Sequence, residues 1–223
     1  MSRMRVLALG VLLLASAAIQ AAPFQNGSFE SGTLINSGSF DELHIGSTAI
    51  TGWSVLGPAG VDYISSGYWQ AADGVRSLDL VGCDDGGGVG GIEQTFDTAP
   101  GMTYMVTFAM AGNPDGSPVV KTMMVSAAGQ SASYAFDTAG KSVGDMGWQA
   151  RSFWFTATSG STTLRFDNTS DGLDCAGAAL DNVVVTAMQT VPVQDSAWGA
   201  AAAIMLAALF VLPWLRRRED RRA

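Results

Sequence analysis

TYMVTFAM, residues 103–110, changes character at every second position. Tyr104, Val106, Phe108 and Met110 fall on one side, and Met105, Thr107 and Ala109 on the other, which is the pattern of a β-strand with one face buried. A helix would scatter the same four apolar residues around its circumference. Further strand-like segments lie on both sides of it: AITGWSV (49–55), VDYIS (61–65), SLDLVG (77–82), GIEQTF (91–96), KTMMVSA (121–127), SASYAF (131–136), QARSFWFTAT (149–158), TTLRFD (162–167) and ALDNVVVTA (179–187). Turns such as NPDG (113–116) and TSDG (169–172) separate them, and no amphipathic helix is legible between Pro23 and Pro192. About ten short strands without helices predict an all-β fold, an antiparallel sandwich of the jelly-roll kind in one domain over residues 23–190. A parallel β-helix would need a short repeat of fixed period, and the sequence has none.

The two ends of the chain read differently. Residues 1–22 carry Arg3 and Arg5, an apolar stretch from Val6 to Ala18 and small residues around Ala21 and Ala22, the layout of a cleavable signal peptide. At the far end, residues 199–215 form an apolar run long enough to span a bilayer as a helix, with Trp198 and Trp214 at its two interfaces. The basic tail 216–223 should stay cytoplasmic and hold the domain outside. The expectation is therefore export, with anchoring through the C-terminal helix and display at the cell surface or beyond.

Charge narrows the partners. Between Pro23 and Trp198 there are five basic and 18 acidic residues, a formal charge of −13. Nucleic acid is excluded as a partner, because it is held through clustered Lys and Arg. Cys83 and Cys175, the only cysteines, both lie in the exported part in Asp/Gly-rich loops and should form a disulfide.

The quoted strands also occur in a familiar order. NGSFESG (26–32), GWSV (52–55), VDYI (61–64), GYWQAADGVRSLDL (67–80), GGIEQTF (90–96), PGMTYMVTFAMAGNP (100–114) and AALDNVVV (178–185) together resemble the bacterial choice-of-anchor C family and the related plant cell-wall proteins. The resemblance covers Phe24 to Thr186. It implies a galactose-binding-like jelly roll, an architecture used by many carbohydrate-binding modules, and a non-catalytic wall or surface role. The tail, with residues 191–198 as linker and sorting motif, is similar to PEP-CTERM and IPTL-CTERM sorting signals. That likeness implies an exosortase-like processing enzyme as a partner, although VPVQDSAW departs from both usual motifs. The resemblance also implies a structural calcium between the first and last strands, held by Glu30 of NGSFE and Asp181 of ALDNV; no organic cofactor is expected.

Most other chemistry is poorly served. Gly86, Gly88 and Gly91 satisfy GxGxxG but precede a strand instead of a helix, so they do not make a nucleotide loop. His44 is the only histidine and no GxSxG accompanies it, which leaves no Ser-His-Asp triad. A pair of carboxylates could still hydrolyse a glycan. The favoured expectation is a polysaccharide binder that stacks aromatic faces on sugar rings and fixes hydroxyls with polar groups. Tyr63, Tyr68, Trp69, Asp73 and Arg76, in VDYISSGYWQAADGVR, are the candidate binding residues, with Trp69 expected to be partly exposed in its Gly-flanked turn. Trp53 is assigned to the core. The rival expectation is a structural surface protein without a sugar site.

Overall fold

In the computed structural model the described residues are 22–33, 38–83, 89–170 and 174–188. The proposed signal peptide, sorting motif, membrane run and basic tail lie outside them, as does most of the GGG loop after Cys83. The described residues form eleven strands and no helix. They are β1 (Phe40–Leu43), β2 (Ser54–Leu56), β3 (Val61–Ser65), β4 (Arg76–Asp79), β5 (Gly91–Asp97), β6 (Thr103–Gly112), β7 (Val120–Ala127), β8 (Gln130–Asp137), β9 (Gln149–Thr156), β10 (Ser161–Asn168) and β11 (Ala178–Met188).

These strands make two antiparallel sheets, ordered β1-β3-β4-β11-β6-β9 and β2-β5-β10-β7-β8, packed as a jelly-roll sandwich. The alternation that suggested β6 is what it buries: Tyr104, Val106, Phe108 and Met110 face inward, and the ring of Phe108 meets Phe166 of the facing sheet at 5.3 Å. Trp53 is in this core, its ring centroid 5.4 Å from that of Phe29, as expected from GWSV. Phe153 faces inward and Trp154 outward on β9, 4% and 48% exposed, as their adjacent positions on a strand require.

Register decides what stands on the outer face of the six-stranded sheet. Leu78 pairs with Leu180 and Leu180 with Met110, so these three share the inner face. Their strand neighbours must point outward. A row formed by Glu42, Asp62, Asp79 and Ala179 runs across β1, β3, β4 and β11. Ile64, Ser77 and Asp181 belong to the same face by alternation. Much of this outer face is covered by the β3–β4 loop, residues 66–75, and the loop before β9, where Met146 is fully buried.

The two cysteines form the expected disulfide, with Cα atoms 4.9 Å apart and 92 residues between them in sequence. It ties the segment after β4 to the segment before β11. At another place the first described residue, Ala22, accepts a hydrogen bond from Asp97 N, while Met188 at the end of β11 pairs with Thr103. Asp97 and Thr103 flank one short connection, so Ala22 and Met188 leave from the same end of the sandwich.

Candidate functional site

The β3–β4 loop is held by two carboxylates approaching from different parts of the chain. Asp181 Oδ2 accepts the amides of Ala72 (2.7 Å) and Asp73 (2.9 Å), and its Oδ1 accepts Asn182 N at 2.6 Å. Glu30 Oε1 accepts the amides of Val75 and Arg76, each at 2.8 Å. Gly74 sits between these pairs with φ at +62°, and a Cβ there would lie 2.4 Å from Glu30 Oε1, so glycine is required. Asp181 is fully buried, and burial pushes its carboxyl up to about 7, against the pull of the three amide bonds. Glu30 is exposed, so only one of the two carboxylates named as calcium ligands is buried. The pair predicted from sequence therefore meets at one loop and clamps it through amides. Among the described residues, no group of three or more His, Cys, Asp or Glu gathers in a way that could hold a metal.

The clamped loop forms one wall of an open cleft of about 500 Å³, lined by Ser66, Tyr68, Trp69, Gln70, Ala71, Gly74, Val143 and Gly144. The opposite wall, before β9, is fastened to it by two hydrogen bonds: Gln70 N donates to Val143 O at 3.1 Å, and Trp148 Nε1 donates to Gln70 O at 2.7 Å. Tyr68 is half-buried, its ring tilted against Phe40 (5.3 Å) and Trp69 (5.6 Å). Its hydroxyl donates to Asp115 Oδ2 at 2.8 Å, and burial together with this bond pushes the phenol up to about 12. The cleft thus combines an accessible aromatic ring, a fixed carboxylate behind it and several backbone and amide groups, the mixture of apolar surface and directed polar atoms that small-molecule sites use.

The five residues chosen from sequence do not all come together here. Tyr68 and Trp69 line the cleft, but Trp69 is only 1% exposed, with Nε1 donating to Ser77 Oγ at 2.7 Å. It is a plug between the loop and the outer face of the sheet, so the expected partly exposed stacking platform is corrected to a buried wall. Tyr63 is equally buried. Its hydroxyl donates to Phe29 O, and inward orientation on β3 removes it from any ligand. Arg76 lies with its guanidinium carbon 5.7 Å from the Tyr63 ring centroid, packed away from the cleft. Asp73 is exposed on the loop but is not among the lining residues. Sequence reasoning missed Ser66, Gln70, Asp115, Val143 and Gly144. Gln70 and Ser66 lay within the quoted motif; the other three come from loops far away in sequence and carried no signal.

Comparison with known proteins agrees with this architecture. A family described as a protein of unknown function (DUF642) matches residues 22–186. Halomucin of Haloquadratum walsbyi (strain DSM 16790 / HBSQ001) is 33% identical over 207 residues, covering 87% of this chain. The chain spans only 2% of the length of that curated relative. Among solved structures, the arabinose-bound MgGH51 α-L-arabinofuranosidase superposes with a TM-score of 0.51 at 13% identity, over 76% of this chain and 27% of the enzyme. TmCBM61 in complex with β-1,4-galactotriose gives a TM-score of 0.47 at 17% identity, over 75% of this chain and 99% of that one. Likeness at such identity describes the sandwich, not what it does.

Proposed function

The chain belongs to the DUF642 family, and on that premise we propose that its sandwich is a non-catalytic polysaccharide-binding module, exported and held at or near the cell surface. The observation that carries this reading is the cleft lined by Tyr68: a half-buried aromatic ring, with the exposed side chains of Ser66 and Gln70 beside it to hydrogen-bond the hydroxyls of a pyranose stacked on it. Two carboxylate clamps, two bonds between its walls and the buried Trp69 hold the cleft in shape before any ligand arrives, which lowers the entropic cost of binding. Tethering through residues 199–215, the choice-of-anchor C relationship and removal by a sorting enzyme complete the proposal.

Retention of the purified protein on immobilised polysaccharides tests the reading, with Tyr68→Ala as the variant. Saturable retention on one class of glycan that falls at least about tenfold in Tyr68→Ala supports it, since a lost stacking contact and its hydrogen bond amount to about 1.4 kcal/mol or more. Retention unchanged in a folded Tyr68→Ala protein refutes the site. Release of reducing ends during incubation refutes the non-catalytic assignment. No retention on any glycan, together with self-association, turns the reading into the structural-protein alternative.

A further inference from the structure

The outer-face row Glu42–Asp62–Asp79 has a feature that the cleft does not use. Glu42 stands directly opposite Asp62, and Asp62 directly opposite Asp79, on neighbouring antiparallel strands, where like charges repel. Asp79 is compensated: its oxygens accept Asn113 Nδ2 (2.8 Å), Val81 N (3.1 Å) and Gly177 N (3.0 Å), and the buried Lys121 ammonium also acts on it electrostatically. Glu42 Oε1 accepts Cys83 N at 3.2 Å. Asp62 is different. It is 5% exposed, and among the described residues its Oδ1 is a buried side-chain oxygen with no hydrogen-bond partner.

Gly82 packs close to Oδ1. A Cβ placed on Gly82 would lie 2.5 Å from Ala59 O and 3.5 Å from Asp62 Oδ1, so a backbone carbonyl and the orphaned carboxylate oxygen approach one notch that a side chain would fill. We propose that Asp62, with Glu42 beside it, binds a hard cation of the calcium class at this notch, against the segment that ends in the Cys83–Cys175 disulfide. Carboxylate and carbonyl oxygens are the ligands such ions take, and solvent completes a shell that two carboxylates cannot fill. Both cysteines are in the disulfide, so no thiolate adjoins to favour zinc or copper. Glu42 is exposed and lines a second cleft of about 460 Å³ with Thr33, His44 and Ile45, so its carboxylate is open to solvent. The cation neutralises a repulsive row and couples β1 and β3 to the disulfide segment. This site is separate from Glu30 and Asp181 and does not depend on sugar binding.

The test is calcium titration of the EDTA-stripped full-length protein at pH 7.5, followed by urea unfolding, in the wild type and in Asp62→Asn, Glu42→Gln and Asp181→Asn. The proposal expects saturable stabilisation of the wild type with an apparent Kd on the order of 0.1–1 mM, as in weak extracellular calcium modules. Asp62→Asn should fold without calcium and lose the response. Glu42→Gln, at an exposed position, should weaken the apparent Kd about tenfold. Asp181→Asn should keep a response. A wild type that does not respond overturns the proposal, as does a response that survives in Asp62→Asn or disappears only in Asp181→Asn. If Asp62→Asn fails to fold, an unchanged Kd in Glu42→Gln overturns it equally.

Discussion

Asp181→Ala separates a loop clamp from an idle buried acid. In the wild type the carboxylate accepts three backbone amides at 2.6–2.9 Å, and it is fully buried. Hydrogen bonds to a charged acceptor contribute about 1.5–3 kcal/mol each, so three amount to roughly 4.5–9 kcal/mol in gross terms. Against this stands the cost of burying the charge. The carboxyl stays raised from 3.8 to about 7 even with these bonds in place, so the buried charge offsets much of that gain. Leaving the loop amides without their buried acceptor in Asp181→Ala should cost about 1–3 kcal/mol. Asp181→Asn keeps an acceptor oxygen for the Ala72 and Asp73 amides and removes the buried charge, so it should stay at least about 1 kcal/mol more stable than the alanine variant. Urea unfolding in EDTA, read by tryptophan fluorescence, measures both. The alanine variant should also retain glycan less well although Asp181 does not line the cleft, because Gln70, Ala71 and Gly74 stand on the released loop. An alanine variant within about 0.5 kcal/mol of wild type, the range of ordinary surface substitutions, would refute the clamp.

Three further outcomes follow from the same geometry. Replacing Cys83 and Cys175 together by Ala opens a loop with a sequence separation of 92, and should lower stability by up to about 4–5 kcal/mol in denaturant unfolding. In EDTA, stability should fall as pH rises from 5 to 9. Asp62 is pushed up to about 8 by burial and by Asp79 and Glu42, and Asp79 and Asp181 to about 7 by burial. A carboxyl with a raised folded-state value holds its proton better in the folded chain, so its contribution is complete below 3.8 and disappears through pH 7–8; a loss of at least about 2 kcal/mol in pH-stepped urea melts is expected, and a rise would contradict it. Tyr63→Phe should cost about 1–3 kcal/mol by unpairing the buried Phe29 carbonyl, and should leave glycan retention unchanged.

The sandwich was legible where alternation was strong. Thr103–Gly112 is legible to within two residues of its end because a long run with one buried face leaves a period-two trace, and Val61–Ser65 with its observed bounds although both of its faces are buried. Phe40–Leu43 was missed: FDEL has two acids in four residues, and it is a strand only because it pairs with β3. The site was less legible for a related reason. Alternation gives parity along a strand but cannot say which face a loop will cover, so Tyr63 and Trp69 were read as available when one faces inward and the other is capped by its own loop. Asp62 shows the same limit. VDYIS puts it opposite Tyr63, but its position between Glu42 and Asp79 is a fact of register across three strands and is not encoded in any one of them.

Ala22 and Met188 leave the sandwich on either side of the Asp97–Thr103 turn. A unit whose entry and exit coincide can be spliced into a longer polymer without lengthening it, like a bead hung from a thread by a single knot. Tension along such a thread would not stretch the sandwich from pole to pole. It would load first the Ala22–Asp97 hydrogen bond and the Met188–Thr103 pair, with the disulfide lying beyond the other end of β11.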